Sequence, residues 1–536
     1  MTDTTYEAVI LGGGLAGLCL ALQLRNSFSE MDILVLERNR HPLPQAAHKV
    51  GESTVEIGAD YFDNVLGLRA HMDEAHIRKF GLRYFFSDGR NDIENTTEVG
   101  VSRILPAPSY QIDRGIFENF LGEEARRRGI DFRDGTTVKD FELGQHGAAH
   151  GVRFIDDSGE HQVSARWLLD ASGRAGLIRR RLELTVDNGH HANAVWFRMD
   201  ARIDVDSWTD DSAWHGRCTP QERWRSTNHF MGPGYWAWLI PLASGAHSVG
   251  IVTDANMHPL EGMRDFEKAL GWLQTRQPAV GRAVAAERDK LLDFRFLRNY
   301  SHNSRQLFSV DRWALTGEAG SFLDPFYSPG SDFIGISNTY IVDLIARDRA
   351  GRSIGPYAHF YEKLYFSFYE NTLSMFRDQY PLFGNVAVFP AKVTWDYAYY
   401  WGVLCQLVFQ RRLTDLGLLA ELRPELERAQ ALNARMQLLL RQWHETGSGR
   451  DSRREMLDQC GLAWFAELNR GLHDRLDDAG LRARLRENVR LLEGVADSIT
   501  ALASRADGRL HAPKWDQSRP LLLDSANAGP ALSSIG

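Results

Sequence analysis

Ala8-Val9-Ile10-Leu11-Gly12-Gly13-Gly14-Leu15-Ala16-Gly17 decides how this chain is read. The apolar run Ala8 to Leu11 suits a parallel strand buried on both faces. It ends in Gly12, Gly14 and Gly17 at GxGxxG spacing. Gly12 permits the tight turn, Gly14 lets backbone approach a pyrophosphate, and Gly17 lets the next helix pack close to the strand. A helix over 18–24 would then aim its first N–H groups, with Leu15 and Ala16 in the turn, at the phosphates. A second apolar run, Ile33 to Leu36, ends at Glu37. A carboxylate about 20 residues past the glycines accepts the ribose hydroxyls. Strand, glycine turn, helix, second strand and terminal acid in that order predict a dinucleotide site.

Outward from this motif, the chain has 536 residues. That length allows two to four domains at ~150 residues each, or fewer if domains interleave. Hydrophobic residues make up 43% and charged residues 25%, the balance of a globular protein. A net charge of −8 argues against nucleic acid as partner. The run Arg179-Arg180-Arg181 reads as a solvated helix end. Cys19, Cys218, Cys405 and Cys460 form no CxxC pair, so neither disulfide framework nor zinc site is expected. A cytoplasmic location fits, with no metal, no signal peptide and no membrane span.

Residues 38–57 read as a polar loop. Phe80, Leu82, Tyr84 and Phe86 alternate, which predicts one half-buried strand over 77–86 with Lys79 and Arg83 on its other face. A helix is expected over 115–128 and strands near 137–143, 151–155 and 161–164. Trp167-Leu168-Leu169-Asp170-Ala171-Ser172-Gly173 reads as another buried strand and polar turn, and Trp313-Ala314-Leu315-Thr316-Gly317-Glu318 repeats that pattern. Residues 193–255 look antiparallel. From Pro356 onward the spacing is helical, notably over 403–441 and 455–505.

The fold class expected is α/β. A Rossmann-type frame over 1–350 is interleaved with an antiparallel substrate sheet, mainly 77–112 and 190–300. A helical substrate-covering region spans 351–510 and an extended tail 511–536.

The order of these elements resembles the FAD frame of aromatic hydroxylases. There a late Gly-Asp pair meets the ribityl chain; here it is Gly317-Glu318, one methylene longer. Within that superfamily the chain resembles the flavin-dependent halogenases. Trp236-Ala237-Trp238-Leu239-Ile240-Pro241 matches their WxWxIP signature. Val50-Gly51-Glu52-Ser53-Thr54 matches their flavin-strap loop. Phe322-Leu323-Asp324-Pro325-Phe326-Tyr327-Ser328-Pro329-Gly330 matches FxxPxxSxG, and Lys79-Phe80-Gly81-Leu82-Arg83-Tyr84 matches the strand holding the catalytic lysine. Each has a plainer reading alone: the Trp pair as core, Lys79 as a solvated lysine, Glu52 as a loop acid. Together they reinforce one another.

The resemblance implies FAD, used as FADH2, held by Gly12, Gly14, Leu15, Ala16, Gly17, Glu37, Ser53, Arg114, Glu318 and Gly330. It implies O2 and chloride or bromide as co-substrates, and hypohalous acid delivered by Lys79 to an aromatic or pyrrolic carbon. An ammonium is a compact donor that polarises the acid, and an amine can form a haloamine. Burial would depress the lysine pKa and favour the second route. A separate flavin reductase would supply FADH2, and the substrate is small and aromatic, either free or tethered to a carrier protein.

Two positions depart from the family pattern. The glutamate of tryptophan halogenases is Tyr327 here, which points to phenols and pyrroles rather than free tryptophan. Pro329 lacks the N–H that helps bind halide, leaving Gly330, Ser331 and the Ser331 hydroxyl. These departures keep two alternatives in view. One is a flavin-dependent monooxygenase or dehydrogenase that uses no halide; the other is a non-catalytic flavin-binding protein.

Overall fold

A computed structural model describes residues 4–44, 51–447, 449 and 451–506. Val50 of the strap motif and the expected tail over 511–536 lie outside the described residues.

The opening apolar run becomes the strand Thr4–Leu11, whose Ala8 to Leu11 are fully buried. It lies between Ile33–Leu36 and Gly159–Asp170, parallel to both, with Leu11 opposite Leu36 and Asp170. Asp131–Arg133 and Trp313–Leu315 extend the parallel set. His150–Asp156 and Thr137–Glu142 complete a seven-stranded sheet by antiparallel pairing. All the parallel strands end on one side, where the crevice of an open parallel sheet lies. The segments expected as separate strands near 161–164 and 167–170 are one 12-residue strand. Its first half pairs with His150–Asp156 and its last half with Thr4–Leu11, which joins the two parts of the sheet.

An eight-stranded sheet stands beside it. Its order is Leu291–Leu297, Ala192–Met199, His247–Asp254, Tyr235–Pro241, Thr227–Gly232, Leu82–Phe86, Thr97–Gly100 and Glu455–Asp458. One face buries Trp196, Trp236 and Trp238 in the main core; the other buries Phe85, Phe197 and Phe230 beneath the helices Phe266–Arg276 and Pro278–Ala286. Because both faces are covered, all of Leu82–Phe86 is buried, not half of it.

The expected strand over 77–86 is broken in two. Ile77–Arg78 pairs with Tyr110–Gln111, and Leu82–Phe86 pairs with Thr227–Gly232. Gly81 between them has φ +73°, a left-handed backbone that glycine adopts without strain. Lys79 therefore sits at a kink rather than on a strand face. Its N–H bonds the Ser109 carbonyl at 2.8 Å.

The C-terminal half is mostly helical, as its spacing predicts. Gly330–Arg349 packs on the first helix, Leu15–Ser27, and Gly355–Leu373, Phe389–Tyr399, Leu416–Glu445 and Asp478–Ala506 follow. One stretch read as helical departs: Glu455–Asp458 is an edge strand parallel to Thr97–Gly100. No helix of the described residues is long and apolar enough to cross a membrane.

Candidate active site

A cleft of about 720 Å³ runs from the ends of the parallel strands to the tryptophan face of the antiparallel sheet. Gly12, Gly14, Leu15, Ala16, Glu37, Ser53, Arg114, Glu318 and Gly330 all line it. Gly12 has φ +109°, and a Cβ there would lie 2.4 Å from the Ala171 carbonyl oxygen. A Cβ on Gly17 would lie 1.9 Å from the Gly12 oxygen. These contacts leave room for nothing but glycine, so turn and helix lie close together. Glu37 accepts from the Gly13 amide and from Asn39, each at 2.8 Å, which fixes its carboxylate at the cleft. Arg114 is turned toward Glu118 and the Gly51 carbonyl. Glu318 pairs with Arg174 at 3.1 Å. A glycine turn with no space for side chains, a helix N-terminus and a fixed acid at the far end fit a dinucleotide such as FAD.

The strap residues 51–54 close one side. Ile112 N–H bonds the Glu52 carbonyl at 2.7 Å, and Thr54 N–H bonds the Tyr110 carbonyl at 2.9 Å. The Glu52 side chain is not a loop acid in solvent. It is buried against Arg198, which also pairs with Asp293, each contact at 2.7 Å. Burial is the largest influence on Glu52 and raises its pKa, while Arg198 lowers it. Removing one member of such a buried set leaves charge uncompensated.

Lys79 is buried beneath the strap, 3% exposed. Its Nζ donates to Ser53 Oγ at 2.7 Å and to the Thr54 carbonyl at 2.9 Å. Ser53 Oγ continues to Thr227 Oγ1 at 3.0 Å, on the cleft wall. Burial pushes the Lys79 pKa down to about 7, with the Glu56 and Asp332 carboxylates opposing the shift. Asp332 accepts from Gly58 N–H at 2.8 Å and from the Tyr400 hydroxyl at 2.7 Å. Its own pKa is pushed up to about 8, chiefly by burial.

The loop 322–330 is held from beneath by Asp324. One of its oxygens faces His190 Nε2 at 2.6 Å and accepts from the Tyr300 and Tyr380 hydroxyls, each at 2.7 Å. Trp236 Nε1 donates to Tyr380 at 3.0 Å, so the WxW strand and this loop share one buried network. Pro329 is the N-cap of Gly330–Arg349. The first amides of a helix have no partner inside it, and here Gly330 and Ser331 carry them. Ser331 Oγ is buried with no hydrogen-bond partner among the described residues. It packs against Gly58, where a Cβ would sit 2.2 Å away.

Beyond the strap and this helix N-terminus lies a second, smaller cavity of about 50 Å³. Val55, Tyr327, Asp332, Asp396, Tyr397 and Tyr400 are among its walls. The Tyr327 hydroxyl donates to Asp396 at 2.7 Å. The structure thus gathers the expected glycines, acids, strap and lysine around one cleft and its inner wall. Glu56, Asp332, Asp324 and Asp396 escaped the reading. Asp324 and Asp332 lie in or next to a matched motif, and that position was the available signal. Asp396 stands between Trp395 and Tyr397, but its partners Tyr327 and Gln437 come from distant segments.

The sequence model of the tryptophan halogenase family matches residues 88–374, and that of an NAD(P)-binding Rossmann-like domain matches residues 10–73. The chain is 24% identical over 371 residues to the flavin-dependent halogenase chlA of Dictyostelium discoideum, covering 63% of this chain and 60% of that protein. It therefore spans about three fifths of that relative's length. It is 25% identical over 335 residues to the 1H-pyrrole-2-carbonyl-[peptidyl-carrier protein] brominase of Pseudoalteromonas luteoviolacea, covering 61% of this chain and 74% of that protein. The crystal structure of halogenase PltM superposes with a TM-score of 0.64 at 17% identity, over 93% of this chain and 99% of that one.

Proposed function

The chain belongs to the tryptophan halogenase family, and from that premise we propose that it halogenates a small electron-rich aromatic or pyrrolic substrate with FADH2, O2 and halide. The observation that carries this reading is Lys79. It is buried behind the strap, with Nζ tethered to Ser53, which lines the cleft, and to Thr54. A lysine is almost never fully buried without reason.

Gly12 to Gly17 would hold the pyrophosphate of FAD and Glu37 its ribose, and Ser53, Arg114, Glu318 and Gly330 would complete the cofactor contacts. Reduced FAD with O2 supplies the oxidising power that turns halide into hypohalous acid. The halide sits at the N-terminus of Gly330–Arg349, where the Gly330 and Ser331 amides offer N–H groups that Pro329 cannot. The unpartnered Ser331 hydroxyl is beside them.

The neutral Lys79 amine takes the halogen from hypohalous acid, exchanging one N–H bond for an N–X bond as water leaves, and presents it to the substrate. Two acceptors already occupy two N–H groups, and burial favours the neutral amine whose lone pair takes the halogen. A separate flavin reductase supplies FADH2. A carrier-tethered substrate is one form the aromatic could take, as in the pyrrolyl-carrier brominase that the chain resembles.

A monooxygenase or dehydrogenase without halide is the competing reading, and Pro329 at the helix cap is what favours it. A turnover assay separates the two. Protein, FAD, NADH, a flavin reductase and bromide are incubated with phenols, indoles and pyrroles. Products gaining bromine support halogenation. Products gaining only oxygen overturn it.

A further inference from the structure

Lys79 is not among the described residues that wall either cavity, whereas Ser53 and Thr227 wall the cleft. A line of side chains joins the three. Lys79 Nζ bonds Ser53 Oγ at 2.7 Å, and Ser53 Oγ bonds Thr227 Oγ1 at 3.0 Å. Thr227 Oγ1 meets both ends of one amide, donating to Gln111 Oε1 at 3.2 Å or accepting from Gln111 Nε2 at 3.0 Å. All four residues are buried, and a backbone bridge to Ser53 holds Gln111 in place. A hydroxyl carries one hydrogen and two lone pairs, so it can donate to either neighbour. Gln111 completes the line whichever way its hydrogens point.

We propose that Ser53 is a catalytic hydroxyl that carries the proton of Lys79 to the cofactor cleft, with Thr227 and Gln111 as positioning residues that let the line run in both directions. This rests on the halogenation reading above, which needs a neutral Lys79. With Lys79 charged, the line runs from Nζ through Ser53 and Thr227 to Gln111 Oε1. One Nζ–H bond then breaks and its proton joins Ser53 Oγ. The proton that Ser53 held joins Thr227 Oγ1, and the proton that Thr227 held passes to water in the cleft. Each bonding pair stays on the atom that loses the proton, and the water becomes hydronium. The line ends reversed, with Gln111 Nε2 donating to Thr227, Thr227 to Ser53, and Ser53 to the new lone pair on Nζ. Turning both hydroxyls back toward Gln111 Oε1 frees that lone pair for the halogen.

Glu56 and Asp332 also face Lys79, and His229 lies close enough to feel its charge. Burial holds His229 down to about 3, so it stays neutral. Neither carboxylate is among the residues that wall the cleft. The second partner of Nζ is the Thr54 carbonyl, which accepts a hydrogen bond but passes no proton on. Ser53 is the partner that leads out.

The same hydroxyls could instead serve only to pin the strap to the strand Thr227–Gly232. The two roles differ in which substitution does harm. Thr227→Val keeps the shape and removes the hydroxyl; Thr227→Ser keeps the hydroxyl and removes a methyl. In Thr227→Val the Ser53 hydrogen has only the Nζ lone pair left among the described residues. A buried hydroxyl without a partner is costly, so this variant favours the amine and blocks its lone pair at once. The titration of Lys79 is followed in the FAD-loaded protein by NMR of lysines labelled at the ε carbon, its signal identified by loss in Lys79→Ala. In Thr227→Val the midpoint should fall by about one pH unit. Brominated product per FADH2 oxidised, measured over the aromatic panel above, should fall by about tenfold or more. Thr227→Ser should hold the wild-type midpoint and most of the yield. Ser53→Ala cuts the line at its first link and should lose yield as Thr227→Val does, so it reports if Thr227→Val does not fold. An unmoved midpoint in Thr227→Val, or equal yields from the two Thr227 variants, would overturn the proposal. A lowered midpoint with no brominated product from the wild type would sink the halogenation reading and leave the proton line. Brominated product with an unmoved midpoint would sink the inference and leave the reading standing.

Discussion

The cofactor cleft and the inner cavity share Pro329 and Phe333 but are made of different material. The dinucleotide end of the cleft is built from backbone. Its shape there comes from Gly12 and Gly17, from strand ends and from a helix N-terminus, while Trp196, Trp236 and Trp238 wall the far end. The inner cavity is built from side chains brought from the strap, the strand Leu82–Phe86, the 327–333 turn and the helices around 372–404. A backbone site is tolerant of what surrounds it and is spelled in local sequence. A side-chain site depends on packing between segments hundreds of residues apart. The first is suited to a cofactor shared by many chemistries, and the second to the choice of substrate.

The largest expected effect comes from the buried lysine behind the strap. Lys79→Ala removes the group proposed to hand over the halogen while leaving the cleft's glycines and strap backbone in place. Positioned proton-handling and nucleophilic groups typically contribute about 10²–10⁴ in rate. Halogenated product should fall by that factor while FADH2 oxidation by O2 proceeds at its usual rate. Mass spectrometry of product and oxygen consumption in the same reaction read both. Unchanged product yield would remove Lys79 from the chemistry.

Much of the cleft was legible because its causes are local. Gly12 needs its positive φ, Gly17 needs its missing Cβ, and Glu37 ends a four-residue apolar strand. The kink at Gly81 was less legible. Phe80, Leu82, Tyr84 and Phe86 keep the alternation of a continuous strand, and only the positive φ at Gly81 shows the break. The edge strand Glu455–Asp458 was hidden because its partner, Thr97–Gly100, lies more than 350 residues upstream. The carboxylates around the cavity were hidden for the same reason. Glu56, Asp332 and Asp396 each look like an ordinary polar residue until folding brings them against Lys79 or Tyr327.

On the backbone side, Gly12→Val tests whether shape alone holds the cofactor. Valine would be forced into a conformation at φ +109° and against the Ala171 carbonyl. Strain of this kind costs about 1–3 kcal/mol, so FAD affinity should fall roughly fivefold to a hundredfold. Fluorescence titration of FAD checks it, and wild-type affinity would place the pyrophosphate elsewhere.

Pro329→Thr probes the shared wall of the two regions, since Pro329 lines both. The substitution restores an amide N–H at the cap of Gly330–Arg349. One hydrogen bond to a charged group is worth about 1.5–3 kcal/mol, so the halide concentration for half-maximal rate should drop roughly tenfold to a hundredfold. Chloride, the more strongly hydrated ion, should gain more than bromide. Saturation of the wild type at low chloride would mean that the Gly330 and Ser331 donors already suffice.

The smallest expected effect is a pH dependence, and it asks which form of Lys79 works. Burial lowers the lysine pKa to about 7, so the ammonium prevails below that pH and the amine above it. The carboxylates of Glu56 and Asp332 face it and favour the ammonium, but burial outweighs them. If the amine accepts the halogen, losing a proton activates it. Product formed per FADH2 oxidised should then rise as pH increases through about 7 and level off above it, a change of severalfold. If the ammonium merely polarises hypohalous acid, the same loss of a proton removes the donor and the yield falls instead. Asp332→Asn separates Lys79 from the other group that titrates in this window, since burial pushes Asp332 up to about 8. Near pH 7 Asp332 is mostly uncharged, so its replacement should leave a midpoint near 7 in place. Asp332 accepts from Gly58 and Tyr400, and an asparagine oxygen can keep one of those bonds. A midpoint that disappears in Asp332→Asn would assign the pH dependence to Asp332 rather than to Lys79.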